Sequence, residues 1–394
     1  MKKLNKTILL LAFLVSGYAV IAQDKQKETY NAAESLLQSD SKLSIGGYAQ
    51  MDFNQPFVEG ERSNSTLDIH RLVLLFGYRF GEKTSFVSEI ELEHVSEVYV
   101  EQAFLNHEFL PWLNFRGGLM LVPMGIINEY HEPPTFNGVE RPNLDSKIVP
   151  TTWREIGFGF SGRFDNASLK YQLYLMNGFN GYKGSGTFRG SDGFRKGRQK
   201  GAESFMSSPT LAARVDYYAI PGLKLGLSTY NGKSQSSLYD GLNDNDAAAL
   251  ALADSSVVGI SMIGIDARYR NAGFEARGQF NLANISNSGS YNEFTGSDLG
   301  SQMLGWYLEA GYNLLHGNTS GQRLVPFVRY EKYNTHASTD GSLQKNLTFD
   351  RTDVTLGAGW WLNPGAVIKA DYQFFSNAAD GKSGQLNLGI GIWF

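Results

Sequence analysis

The sequence predicts an all-β protein, a transmembrane antiparallel β-barrel closed from sixteen strands. Two properties of the chain carry the barrel prediction. Segments with alternating apolar and polar residues recur along nearly all of it, as strands with one greasy and one wet face require. Where the chain ends, on Phe394, an aromatic closes a strand that is still running.

In that last stretch Leu386, Leu388, Ile390, Ile392 and Phe394 share one face, and Gln385, Asn387, Gly389, Gly391 and Trp393 the other. In water such a terminus is a sticky edge. It is stable if the last strand pairs with the first and its apolar face meets lipid.

Residues 1–22 have the form of a secretory signal peptide: Lys2, Lys3 and Lys6, the apolar run Ile8 to Val15, and Val20-Ile21-Ala22 as a cleavage site. Removing those three lysines takes the formal net charge from −4 to −7, so there is no electrostatic case for nucleic acid. Residues 23–41 are polar; Ala32, Ala33, Leu36 and Leu37 have helical spacing, but the segment is expected to be a loose periplasmic extension. The barrel occupies 42–394. With no cysteine there is neither a disulfide nor a lipid-modified thiol.

Strand cores are expected at 42–54, 67–80, 84–94, 97–109, 111–122, 154–164, 168–176, 209–218, 222–231, 257–269, 272–283, 303–315, 323–333, 351–361, 365–375 and 383–394. The alternation sets charge against grease: Phe86, Ile90 and Leu92 oppose Glu89, Glu91 and Glu93. A third observation separates a membrane barrel from a sandwich. Every second connection is tight (81–83, 110, 165–167, 219–221, 270–271, 316–322, 362–364), and those between are mostly long, above all 123–153 and 177–208. Short turns on one side and long loops on the other are an outer-membrane trait. Phe80, Phe164, Tyr217, Tyr269, Tyr312, Trp360 and Phe394 fall beside the short turns as one aromatic girdle.

Several motifs, in order and spacing, resemble the phosphate-selective porin O and P family. They include Leu67-Asp-Ile-His-Arg-Leu, Val100-Glu-Gln-Ala-Phe, Arg116-Gly-Gly-Leu-Met-Leu-Val-Pro-Met-Gly-Ile126, Tyr174-Leu-Met-Asn-Gly178, Gly305-Trp-Tyr-Leu-Glu-Ala-Gly-Tyr312 and Gly359-Trp-Trp-Leu-Asn-Pro364. The resemblance implies a sixteen-stranded passive channel of a Gram-negative outer membrane, usually a homotrimer, with its third loop narrowing the pore. It also implies insertion by the barrel-assembly machinery through the strand ending at Phe394.

The candidate constriction is the proline-stiffened segment 123–153, carrying Glu129, His131, Glu132, Glu140, Arg141, Asp145 and Lys147. Candidate lumen-facing residues are Arg71, Arg79, Glu89, Glu91, Arg116, Arg214, Asp266, Arg268, Glu275, Arg277, Arg329, Arg351 and Lys369. Segment 177–208 is expected to be a flexible outer loop with a basic cluster, Lys183, Arg189, Arg195, Lys196, Arg198 and Lys200. Because the third loop is net acidic, phosphate specificity does not follow from the residues. The function expected is passive diffusion of small polar solutes or ions, with anions such as phosphate one candidate. The alternative is a porin-like scaffold subunit in which conduction is incidental. No nucleotide loop, cofactor fingerprint, metal-ligand spacing or Ser/His motif appears, so neither cofactor nor enzyme activity is expected.

Overall fold

The computed structural model describes residues 31–394; the expected signal peptide lies outside the described residues. Sixteen strands close one barrel: β1 (Leu43–Val58), β2 (Thr66–Arg79), β3 (Thr84–Glu93), β4 (Glu97–Leu110), β5 (Leu113–Leu121), β6 (Arg154–Phe164), β7 (Leu169–Met176), β8 (Thr210–Tyr217), β9 (Leu223–Lys233), β10 (Gly259–Asn271), β11 (Phe274–Ser286), β12 (Gln302–Tyr312), β13 (Arg323–Ser338), β14 (Asp350–Asn363), β15 (Ala366–Asn377) and β16 (Lys382–Trp393). Each pairs antiparallel with its chain neighbours, and β16 closes on β1.

The wall is inverted relative to a soluble protein. On β13, Val328 and Tyr330 are 44% and 41% exposed, whereas Arg329 and Glu331 between and beyond them are each 1% exposed. The outer face is apolar and needs a bilayer to cover it; the charged face points inward. Phe80, Phe164, Tyr217, Tyr312, Trp360 and Phe394 stand exposed beside the short turns. No helix among the described residues is long and apolar enough to cross a membrane.

Closure rests on a close approach at the chain end. Gly47 and Phe394 exchange two backbone hydrogen bonds of 2.9 Å, next to the Tyr48–Trp393 pair. A Cβ on Gly47 would stand 2.5 Å from the Val73 carbonyl oxygen and 2.8 Å from the Phe394 ring. Gly47→Val is therefore expected to destabilise the barrel by about 1–3 kcal/mol. The urea midpoint of the unheated, folded band on a gel checks this; an unshifted midpoint would mean the seam has room.

Residues 31–38 do not form the loose extension expected. Asn31 caps a short helix, α1 (Ala32–Leu37), by accepting from the Glu34 amide at 2.8 Å. Its Ala32 and Ala33 are buried, and Ala32 packs with Tyr48, Val73 and Leu75 on the wall. Glu34 pairs with Lys170. Burial opposes the charge on Glu34, but Lys170 outweighs it and brings the carboxyl down to about 2. The helical spacing was the correct signal. A segment too short to plug the barrel alone can still dock against the loop that carries Glu132, whose carboxylate accepts from the Ala32 amide.

Candidate functional site

The segment between β5 and β6 turns into the barrel. Met124, Ile126, Ile127, Tyr130, Phe136, Val139, Leu144, Ile148, Val149 and Trp153 are all buried along it. A buried loop must find partners for its backbone, and the charged wall supplies them. Wall acceptors take its amides: Gln279 from Ile126 at 2.7 Å, Asp371 from Val139 at 2.6 Å, and Glu331 from Asn143 at 3.0 Å and from Leu144. Wall donors take its carbonyls. Lys369 Nζ donates to Pro133, Phe136 and Gly138 at 2.7, 2.6 and 2.8 Å. Arg277 donates to Thr135 at 3.3 Å, and Arg329 to Glu140 at 3.2 Å. Many inward charges thus hold the loop, a use that salt bridges along the wall alone would not reveal.

One anchor is ionic. His131 Nε2 lies 3.3 Å from Glu89 and 3.5 Å from Glu101, all three buried, and the Tyr48 hydroxyl lies within hydrogen-bond distance of both carboxylates, at 2.8 and 2.9 Å. Arg154 stands 3.4 Å from Glu101. Two carboxylates facing one imidazolium and one guanidinium balance, so the cluster explains itself without a metal. Glu101 was not among the expected inward residues. A β-bulge lets both Glu101 and Gln102 turn inward, because Glu89 pairs with Gln102 and Ile90 with Val100.

The remaining loop candidates separate. Glu129 is held by Gln172 and by Arg214 at 3.3 Å, and Glu132 accepts from the Ala32 amide at 2.6 Å. Lys147 sits 4.0 Å from Asp192. Glu140, Arg141 and Asp145 line a cavity of about 210 Å³ between the loop and the wall at β1, β2, β3 and β6.

Segment 177–208 corrects the flexible-loop expectation. Phe179 stacks on Trp153 with ring centroids 4.3 Å apart, and Phe188 and Phe194 join them in a buried cluster. Asn180–Tyr182 pairs in parallel with Gln235–Ser236. Arg195 and Arg198 donate to Thr151 at 3.1 and 3.0 Å, which fastens this loop to the third. Arg195, Arg198 and Lys200 therefore reach the cavity. Lys183, Arg189 and Lys196 stay exposed outside it.

The cavity wall carries Arg71, Arg141, Arg154, Arg195, Arg198 and Lys200 against Glu91, Glu93, Glu140 and Asp145. Burial raises Asp145 to about 8 and raises Glu140 as well, while it lowers Arg198 to about 9 and Arg141 to about 10. At pH 7 Asp145 is therefore mostly uncharged while Arg141 and Arg198 keep their charge, which favours a positive cavity. The other expected wall residues have local roles. Arg214 bridges Asp216 and Asp266, each at 2.8 Å, and Arg268 stacks on Tyr130 at 4.0 Å. Arg116 donates to Asn106, Glu275 pairs with Arg323, and Arg79 donates to Ser39 near the short turns. Arg351 stands half-buried on β14.

A closed sixteen-stranded barrel with a loop folded into it is the fold of outer-membrane porins. The outer membrane channel DcaP of Acinetobacter baumannii has a TM-score of 0.56 at 10% identity, covering 89% of this chain and 97% of that one. The anion-selective porin from Comamonas acidovorans has a TM-score of 0.54 at 13% identity, covering 89% and 100%. No protein-family model matches. In sequence the chain is 33% identical over 359 residues to an uncharacterized protein of Aquifex aeolicus, covering 86% of this chain and 77% of that one. The chain belongs to the same family as that protein.

Proposed function

We propose that this chain is an outer-membrane porin of a Gram-negative bacterium, letting small polar solutes and ions diffuse with a preference for anions. The observation that carries the preference is the cavity beside Glu140, Arg141 and Asp145, where six basic side chains meet four carboxylates. Counting the third loop alone gave the opposite sign, because three of those bases arrive from segment 177–208. An oxyanion such as phosphate would find donors on several sides there. In this reading the barrel is a homotrimer in outer-membrane lipid, inserted through the strand that ends at Phe394.

The test is a reversal potential for the folded protein in a planar bilayer across a salt gradient, at pH 7. Stepwise conductance with a potential of anion-selective sign is expected. A cation-selective sign would remove the preference. A silent barrel would favour the scaffold alternative, for which the tightly packed third loop is the supporting observation.

A further inference from the structure

We propose that Asp68, His70 and His94 form a binding site for a divalent transition-metal ion at the long-loop end of the barrel. The site is made by register. Arg71 pairs with Glu93 across β2 and β3, so His70 and His94 come next, opposite one another where the strands part. The His94 amide donates to the His70 carbonyl at 3.4 Å, and the two rings stand edge to face with centroids 5.5 Å apart. His94 and Val95 take left-handed backbone angles (φ 51° and 68°), which turn the chain back at once.

Asp68 completes the set from the same end of β2. Its Oδ2 lies 2.5 Å from His94 Nδ1 and 3.6 Å from His70 Nδ1, and one donor atom from each residue lies within 4.8 Å of the other two. Two imidazole nitrogens and a carboxylate suit Zn²⁺, Cu²⁺ or Ni²⁺ better than Ca²⁺ or Mg²⁺, which want oxygen. A cross-strand histidine pair costs little to organise, because the ladder already holds both residues. Glu93 adds a carboxylate 3.9 Å from the far nitrogen of His94. The side chains are 22–46% exposed, so an ion has access. The other histidine–carboxylate group, around His131, lacks this character: it is sealed and its charges balance.

The site touches the passage. His70 lines the cavity beside Arg71, so a bound dication would add positive charge at its edge and occupy part of its width.

The test is calorimetric titration of Zn²⁺ into the folded, chelator-stripped protein in detergent, which is independent of conduction. One saturable site per chain with roughly micromolar affinity is expected. His70→Ala and His94→Asn, the latter chosen because Asn tolerates the left-handed backbone, should each weaken binding about tenfold or more. The unheated band on a gel verifies that both variants fold. A bound Cu²⁺ probe should show nitrogen hyperfine structure that the double variant loses. No saturable binding below about 1 mM would overturn the site, as would unchanged affinity in the double variant. Loss of binding only on Glu89→Gln would overturn it too, by assigning the ion to the sealed cluster.

Discussion

Replacing His131 by leucine should loosen the third loop from the wall, destabilise the folded barrel and give larger, noisier single-channel currents. His131 is 1% exposed, and Glu89 and Glu101 beside it are not exposed at all. Removing the imidazolium leaves two buried carboxylates with Arg154 as their one cationic partner, beside the neutral donors Tyr48, Gln102 and Thr152. Removing one member of a buried ionic set costs about 3–5 kcal/mol. The loop has other ties, so it is expected to fluctuate rather than leave the barrel. A triple variant with Glu89→Gln and Glu101→Gln removes the stranded charges and should recover part of the lost stability. Urea midpoints and bilayer recordings check both variants; a His131→Leu barrel identical to the parent in both would show the cluster holds nothing.

The same cluster sets a pH dependence. Burial works against the charge on His131, but the Glu101 and Glu89 carboxylates outweigh it and raise the pKa to about 10. The folded value lies above the ordinary value of 6.5. The stabilisation is therefore complete below about 6.5 and is lost as pH rises toward about 10. Current noise should stay low near neutrality and grow as pH approaches 10, and the Leu variant should lack this transition.

The wall was legible because alternation is local: Val328, Arg329, Tyr330 and Glu331 announce inside and outside with no knowledge of partners. All sixteen strands follow from that signal and from the turns, and the closed sheet bears them out. The inner chemistry was harder, because its partners lie far apart in sequence. Glu129, Glu132 and Glu140 look equivalent on one loop. Only contacts with Arg214, with Ala32 and with Asn54 at 2.9 Å distinguish them. Phe179, Phe188 and Phe194 fit no periodic pattern, so a glycine-rich segment hid an aromatic core. Three large aromatics in one loop were the available sign that it packs. The bulge at Glu101 shows in sequence as no more than a slip of phase, Val98 and Val100 facing out before it and Leu105 after it.

Lys200→Glu should strongly weaken the anion preference. Its ammonium lies 4.7 Å from the Tyr99 ring, at the edge of the cavity. A unit charge acting over about 8 Å at an effective dielectric of about 20 contributes about 2 kcal/mol, less under salt screening. Reversing the sign doubles that, so the anion-to-cation permeability ratio is expected to fall severalfold or more. Glu132→Gln is the contrast. Its carboxylate is occupied by the Ala32 amide away from the cavity, and Gln can still accept that bond, so the reversal potential should not move. Raising pH should act like a mild version of the lysine change. Asp145 gains a negative charge near 8 and Arg198 loses a positive one near 9, both through burial. The preference should therefore be stronger at pH 6.5 than at 9.5 in the parent. A shift from Glu132→Gln together with none from Lys200→Glu would put the ion path on the other side of the loop.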